Sequence, residues 1–338
     1  MIMNLKPEKN IWLLLLVIII IISSWICIQK KFNSTESIAP NSGIELITYN
    51  SDNKLYKEVI ACPPKRVIAI WQTSVETLIA LGQADKIIAA IGLPDDKCLK
   101  EEYRKAYKKI PYRSFKRLNQ ESALAMEPDF ILTSWASSFS SKNIGRTEFW
   151  NKRNVGTYIS EIPPIVGGNR TIEHEYKYIR DMGRLFCSEE KAECIISKIE
   201  AEISNVVERL PYSNQKYKKV MIIQFMGSKL KNWGIDYLQG DIVSRLHGEL
   251  VIRESKFIGY EDLLEANPEV IFLMATEWEY SNLQIVFDKL YADRRFASLR
   301  AVRNKCVYIV PLYLGQYSGV RLGEGINIFA KGMYPELY

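Results

Sequence analysis

Histidine is nearly absent from this chain, with only His174 and His247 among 338 residues. Zinc and manganese sites need several histidine and carboxylate ligands, so this scarcity argues against capture of a bare metal ion. The six cysteines form no C-x-x-C pair and show no zinc-site spacing. Cys187 and Cys194 are too distant to bridge on one continuous helix, but a helix break at Ser188 leaves their pairing open. We therefore expect free thiols and no resident metal.

Several catalytic and nucleic-acid signatures are also missing. The chain has no G-x-S-x-G elbow, no H-E-x-x-H pair, no P-loop and no dinucleotide fingerprint. The net charge of +6 is spread along the chain, without a basic run interleaved with aromatic residues. These absences indicate a protein that is not an enzyme, has no cofactor and binds no nucleic acid.

The N-terminus carries the one long apolar run. Eighteen uncharged residues from Ile11 to Ile28 would form about 27 Å of helix, enough to span a bilayer core. Three interpretations of residues 1–28 stay open: a retained signal anchor, a cleaved signal peptide, or a lipoprotein signal modified at Cys27. Each predicts that most of the chain lies outside the cytoplasm, and we expect the chain to be tethered to the cell membrane. Residues 29–43 are polar and predict a flexible tether.

A glycine-rich turn at 167–171 opens a long helical pattern in the middle of the chain. Apolar residues recur at steps of three and four from Ile172 to Leu210, with a break at Ser188, which suits a new helix cap. We predict that the first helix, within residues 169–187, connects an N-terminal lobe (44–168) to a C-terminal lobe (188–338).

One phrase occurs on both sides of this connection. Glu121 begins a short helical segment that Pro128 ends before an apolar strand, and Glu261 and Pro268 repeat the pattern 140 residues later. Such duplication predicts two similar α/β lobes. Each lobe alternates strand-like and helix-like segments, which favours a mainly parallel sheet, so the expected fold is two Rossmann-like lobes joined by a single long helix.

Individual segments carry finer predictions. Strands are expected at the following ranges: 44–49, 55–60, 65–70, 87–91, 130–133, 157–159, 220–225, 270–274 and 307–311. Thr73 and Glu76 have the spacing of a capping box for the helix that Gly82 ends. Residues 226–240 are predicted to form a loop that carries Trp233.

These phrases together resemble the iron-chelate and vitamin B12 substrate-binding proteins of ABC importers. The resemblance runs from about Ile44 to the C-terminus, and the final Tyr-Pro-Glu-Leu-Tyr is more similar to the iron-chelate branch. The resemblance implies a monomeric receptor that delivers a metal chelate of the siderophore type to an ABC permease dimer. Cobalamin or haem is the alternative ligand. An exported enzyme or a sensory ectodomain on the same scaffold is the alternative of another class.

The resemblance also implies which residues meet the two partners. Glu121 and Glu261 match the glutamates with which this family docks on permease arginines. The ligand should lie between the lobes, at the carboxyl ends of the strands. Because flat aromatic rings suit a bulky chelate and arginine suits an anionic oxygen, we predict eight ligand-binding residues. They are Trp71, Gln72, Trp135, Trp233, Trp278, Tyr313, Tyr317 and Arg321.

Overall fold

The computed structural model of the chain describes residues 43–60, 63–160, 169–210, 218–276, 279 and 282–338. The predicted anchor, Cys27, the tether up to residue 42, and Trp278 all lie outside these described residues. Across the described ranges, we find no helix with the length and apolar character that a membrane span requires.

Thirteen strands and twelve α-helices are numbered here in chain order over the described residues. Strands β1 to β13 are Ile44–Tyr49, Leu55–Ile60, Val67–Ile70, Ile87–Ile91, Tyr112–Ser114, Phe130–Thr133, Gly156–Ile159, Lys219–Met226, Lys229–Asn232, Glu249–Leu250, Lys256–Ile258, Val270–Ala275 and Val307–Pro311. Helices α1 to α12 are Gln72–Ala80, Glu101–Tyr107, Gln120–Ala125, Thr147–Asn151, Ile172–Leu185, Glu189–Arg209, Leu238–Arg245, Tyr260–Ala266, Gln284–Tyr291, Arg300–Arg303, Leu312–Gly315 and Leu322–Met333.

The first lobe is built on a five-stranded parallel sheet. Its strand order is β5-β4-β3-β6-β7, and every described pairing in it is parallel. Strands β3, β6 and β7 are buried along their whole length, which is what a parallel sheet with both faces covered requires. The predicted antiparallel hairpin of β1 and β2 is also present and contacts β7.

The second lobe has a mixed sheet in the order β11-β9-β8-β12-β13, with β10 paired to β8. Strands β8, β10, β12 and β13 pair in parallel. Strand β9 is antiparallel to both of its neighbours, β8 and β11, so β11 runs in the same direction as β8. The predicted loop at 226–240 is therefore wrong in part, because β9 turns back along β8. The two lysines of β9 obscure this strand in the sequence, since only one of its faces is buried.

The duplicated phrase folds into two equivalent units. Pro128 leads into β6 and Pro268 into β12, and a left-handed residue precedes each proline (φ +48° and +38°). The acidic residue after each proline accepts a backbone N–H from the start of the neighbouring strand. Asp129 accepts from Arg66 at 2.8 Å, and Glu269 accepts from Lys219 at 2.9 Å. The repeat therefore reflects a shared lobe architecture, and the expectation of two α/β lobes is confirmed.

Between the lobes, α5 and α6 form an antiparallel helical pair. A Cβ on Gly183 would lie 2.6 Å from the Cβ of Ala192, so glycine allows the two helices to pack closely. Ser188 holds the predicted cap position, but its side chain makes no capping hydrogen bond. The turn is instead set by its backbone N–H, which donates to the Gly183 carbonyl at 2.7 Å. Within the described chain, no disulfide joins the cysteines.

Both helices of this pair contact both lobes. At the start of α5, the Ile172 N–H donates to Asp241 of the second lobe, whereas Asp181 accepts from the Tyr158 hydroxyl of the first lobe. Helix α6 runs the other way: Lys191 donates to the Leu81 carbonyl of the first lobe, and Arg209 donates to the Leu337 carbonyl near the C-terminus. The lobe limits given above stay a prediction.

Candidate ligand-binding site

Six of the eight predicted ligand residues lie in two groups of segments, each following a strand. Trp71, Gln72 and Trp135 follow β3 and β6 in the first lobe, and Tyr313, Tyr317 and Arg321 follow β13 in the second. These are carboxyl ends of parallel strands, where open α/β sheets bind ligands. Contacts between the two groups show that they meet across the lobe boundary.

An aromatic pair joins the two groups. The ring centroids of Trp135 and Tyr317 lie 4.4 Å apart and are tilted by 59°. Tyr317 is only 4% exposed, and the guanidinium of Arg170 lies 4.5 Å from its ring centroid. A tryptophan of one lobe therefore packs against a tyrosine of the other, and the tyrosine ring also contacts a buried cation.

Trp71 adopts an unusual backbone conformation at the end of β3. Its φ of 71° and ψ of 158° lie in a region that is essentially reserved for glycine. Its N–H donates to the Ile91 carbonyl at 2.7 Å, and its indole Nε1 donates to the Ser138 hydroxyl at 3.2 Å. A Cβ on Gly92 would lie 2.7 Å from the indole ring. Backbone strain of this kind clusters at functional sites, which draws attention to Trp71.

Trp71 also lines a small cavity on the first lobe, together with Ile91, Gly92 and Arg117. The Arg117 guanidinium lies 5.8 Å from the indole centroid and the arginine is exposed. The half-buried indole is thus held by its hydrogen bond to Ser138 and by contact with Gly92, and it lines this cavity.

Thr73 and Glu76 do not form the predicted capping box, because α1 begins two residues earlier, with Trp71 at its cap position. Both side chains are buried and turn toward the second lobe instead. The Thr73 hydroxyl donates to the Tyr317 carbonyl, and Glu76 forms an ion pair with Arg321 at 3.4 Å. Thr73 and Glu76, whose spacing suggests a helix cap, therefore contact the other lobe instead.

Arg321 is engaged by the protein itself. Its guanidinium also binds Glu324 and the Cys98 carbonyl, and it is 8% exposed. Gln72 donates to the same carbonyl at 2.7 Å and to Glu76 at 3.0 Å. Burial raises the pKa of Glu76, while the Arg321 charge opposes that rise. Two carboxylates already neutralise Arg321, so its predicted contact with an anionic ligand oxygen gains no support from this geometry.

A second buried ion pair lies beside Tyr317 and was missed by the sequence analysis. Arg170 donates to Glu175 at 2.9 Å and to the Ser160 carbonyl at 2.7 Å. Glu175 is fully buried and also accepts the Gly319 N–H at 2.7 Å. The sequence signal was present, since Arg170 follows the Gly-Gly-Asn turn, but nothing local shows that a charge at a helix start will be buried.

Four buried polar atoms surround the same region. Within the described residues, the Gln72 and Gln316 side-chain oxygens and the Ser134 and Ser160 hydroxyls have no hydrogen-bond partner. Buried polar groups normally do have partners, so such atoms need an explanation. They follow strands of both lobes, as the aromatic residues do, and are suited to bind the polar groups of a ligand.

Trp233 is not brought into this group. Its N–H donates to the Ile222 carbonyl, in the middle of β8 rather than at its carboxyl end, because β9 runs antiparallel. Its ring is 8% exposed and packs edge-on against Tyr237 at 4.7 Å. Tyr313 lies in the cleft region, with the Arg321 guanidinium 5.2 Å from its ring centroid. The role of Trp278 stays a prediction outside the described residues.

The described residues contain no group of three or more histidine, cysteine or carboxylate side chains that could hold a metal ion. His174 lies on the first turn of α5. It is half-buried there, and its Nδ1 accepts the Thr171 N–H at 3.1 Å, which makes it part of the helix cap. Burial lowers its pKa, so the neutral ring that this bond needs is favoured.

Glu121 and Glu261 are both exposed in the first turns of α3 and α8. Neighbouring residues do the capping: the Asn119 side chain accepts from Ser122 at 2.8 Å, and Asp262 accepts from Gly259 at 2.7 Å. The two glutamates are therefore available to a partner, at equivalent positions of the two lobes.

Comparisons with known proteins agree with this architecture. The chain matches the periplasmic binding protein family over residues 67–314. A crystal structure of a periplasmic binding protein from Veillonella parvula DSM 2008 superposes with a TM-score of 0.79 at 34% identity, covering 88% of this chain and 93% of that one. These matches confirm the resemblance that the sequence motifs indicated.

Two more distant relatives carry more specific names. An ABC-type Fe3+-hydroxamate transport system structure from Saccharomonospora viridis DSM 43017 has a TM-score of 0.67 at 18% identity, covering 85% of this chain and 98% of that one. An uncharacterised ABC transporter substrate-binding lipoprotein, YvrC of Bacillus subtilis (strain 168), is 21% identical, covering 86% of this chain and 84% of the relative.

Proposed function

The chain belongs to the periplasmic binding protein family, and we propose that it captures an iron complex of the siderophore type and delivers it to an ABC permease. The observation that carries this proposal is the aromatic group at the lobe boundary: strained Trp71 and the Trp135–Tyr317 pair follow strands of both lobes. The Fe3+-hydroxamate name of one structural relative favours iron over other cargo. Cobalamin or haem is the second candidate, because flat rings suit these ligands equally well.

The chemistry of the cleft supports a bulky and largely neutral chelate. Arg170 and Arg321, the buried cations nearest the aromatic group, are already paired with Glu175 and Glu76. Affinity would then come from stacking on aromatic faces and from the unpartnered oxygens of Gln72, Ser134, Ser160 and Gln316. A neutral ferric hydroxamate fits these groups better than a highly charged chelate does.

The place of action follows from the N-terminus and the relatives. The relative YvrC is named a lipoprotein, and residues 1–28 carry the apolar run that ends near Cys27. We infer that the binding domain works outside the cytoplasm on a membrane tether. Glu121 and Glu261, exposed at equivalent positions, are proposed to dock on the two halves of the permease dimer.

Isothermal titration calorimetry with a ferric hydroxamate, a ferric catecholate, cyanocobalamin and haem tests the cargo. We expect saturable binding of the hydroxamate. Trp71→Ala should weaken it by about 1–3 kcal/mol, as expected for a buried aromatic contact. If cobalamin or haem binds more tightly than the hydroxamate, the cargo is the second candidate and not a siderophore-type iron complex. Binding of none of the four would contradict the proposal.

Trp233→Phe is the matched control, because it also removes an indole but from a position that the structure buries beside β8. Its affinity should equal that of the parent. If Trp233→Phe loses as much affinity as Trp71→Ala, Trp233 belongs to the ligand site and the ligand binds nearer to β9.

A further inference from the structure

A groove on the surface of the first lobe lies next to the start of α3. It has a volume of about 650 Å³ and shares no lining residue with the Trp135–Tyr317 pair. The groove residues are Gln120, Ser141, Gly145, Arg146, Glu148, Phe149, Lys152 and Arg153. Three of these eight side chains are cationic and one is anionic.

The charges of the groove are not balanced within it. Arg146 is paired with Asp52 at 2.7 Å and with Glu148 at 3.3 Å, which uses the single carboxylate of the groove. Lys152 and Arg153 are exposed, and no carboxylate of the described chain lies within ion-pair distance of either. The groove therefore keeps two cations for a partner from outside.

Arg153 is held in a defined orientation. Its guanidinium carbon lies 3.7 Å from the Phe149 ring centroid, and its Nη1 donates to the Phe149 carbonyl at 2.9 Å. A stacked guanidinium keeps its planar fork of donors directed to one side and loses little entropy when it binds a carboxylate. This geometry suits a bidentate hydrogen bond with a carboxylate better than it suits long-range electrostatic attraction.

The groove is continuous with the proposed docking glutamate. Gln120, which lines the groove, is the residue before Glu121. A Cβ on Gly145 would lie 2.3 Å from the Gln120 side-chain oxygen, so the loop before α4 closes directly on the start of α3. One face of the first lobe thus presents an exposed carboxylate and, beside it, two exposed cations.

We propose that this groove receives an acidic side chain of the ABC permease, next to the site where Glu121 meets a permease cation. The inference rests on the proposed function, since it requires docking. The permease surface would then carry a cation opposite Glu121 and, beside it, a carboxylate opposite Lys152 and Arg153. Anionic lipid is the less favoured occupant, because polybasic lipid sites typically use about four to eight cations and this groove has two unpaired ones.

The test uses the full chain with its cognate permease in proteoliposomes, with the chain-to-permease ratio that half-saturates ATPase stimulation as the readout. Arg153→Glu and Lys152→Glu should each raise this ratio at least about tenfold, because each replaces an interfacial attraction by repulsion. Lys198→Glu on α6 is the control, since it reverses an exposed charge outside the groove. Ligand affinity, measured by calorimetry, should stay at the parent value in all three.

The outcomes separate this inference from the docking assignment. If Arg153→Glu stimulates like the parent while Glu121→Ala with Glu261→Ala does not, the groove is not a docking site and the glutamate assignment stands. If Arg153→Glu fails to stimulate while Glu121→Ala with Glu261→Ala stimulates like the parent, the groove is a docking site and the two glutamates are not. If the Arg153→Glu defect disappears in vesicles of neutral phosphatidylcholine, the partner is lipid and the proposal is overturned. Persistence of the defect in those vesicles supports the acidic permease side chain.

Discussion

In the part of the chain that the structure describes, the buried carboxylates and guanidinium groups are paired or hydrogen-bonded by the protein's own residues. Arg170 meets Glu175, Arg321 meets Glu76, and Glu58 of the N-terminal hairpin accepts the Thr157 N–H at 3.1 Å. Removing one partner of such a pair leaves an uncompensated charge and costs more than the pair contributes. Substitutions at these positions therefore test folding as much as ligand binding, which is why the ligand tests above use Trp71.

Glu58 provides a pH test at the residue scale. Burial raises the pKa of Glu58 from 4.5 to about 7, although hydrogen bonds from its neighbours oppose the rise. The folded protein therefore binds the extra proton between pH 4.5 and 7, so Glu58 should make stability fall as pH rises through this window, by up to about 3 kcal/mol. Chemical denaturation at several pH values should show that Glu58→Gln removes this part of the decline.

Glu45→Gln is the control for this test, because Glu45 is exposed on the same hairpin and pairs with Lys57. Its profile should follow that of the parent. If Glu58→Gln and the parent lose stability equally between pH 4.5 and 7, Glu58 is ionised without penalty in the folded protein.

The helical pair of α5 and α6 is the element on which the relation of the lobes depends. Each helix contacts both lobes, and the two are held together at Gly183 and Ala192. Binding proteins with flexible hinge strands lack such a rigid connection. Close helix packing here should therefore matter for stability and for lobe geometry alike.

Gly183→Ala tests this packing. In an exposed helix the exchange would stabilise by about 1 kcal/mol, but here the added Cβ would lie 2.6 Å from that of Ala192. We expect a loss of about 1–3 kcal/mol from overpacking, measured by urea denaturation. Adding Ala192→Gly should recover much of it, so that a double-mutant cycle shows coupling. Additive effects would mean that the helices do not pack at this point.

At the scale of the whole molecule, closure on a ligand should be small. The lobes share one hydrophobic cluster and the buried Glu76–Arg321 contact, and two helices cross between them. Small-angle scattering with and without ferric hydroxamate should give radii of gyration that agree within error. A large decrease on binding would show that the lobes swing about the helical pair.

Docking concerns the whole molecule as well, because it needs one glutamate on each lobe. Glu121→Ala with Glu261→Ala should bind ligand and unfold like the parent, since both residues are exposed and neighbouring side chains cap their helices. Loss of two interfacial charges should abolish ATPase stimulation in proteoliposomes, as one such truncation can cost about 2–5 kcal/mol. Transport at the parent rate would remove these residues from the docking face.

The sequence by itself determined the lobes, because their evidence is local and periodic. Hydrophobic runs, the Pro128 and Pro268 stops and the duplicated phrase all predicted elements that the structure contains. It also placed Trp71, Trp135 and Tyr317 after strands, where a general rule for α/β sheets expects a ligand.

Only the tertiary structure decided which partners the buried polar side chains find and how β9 pairs. The spacing of Thr73 and Glu76 suits a helix cap, yet both face the other lobe because residues more than 240 positions away supply their partners. Likewise, β9 forms by pairing with β8, and Trp233, which follows β9, is buried in the core. Pairing across such distances depends on the packed chain, and a local pattern does not encode it.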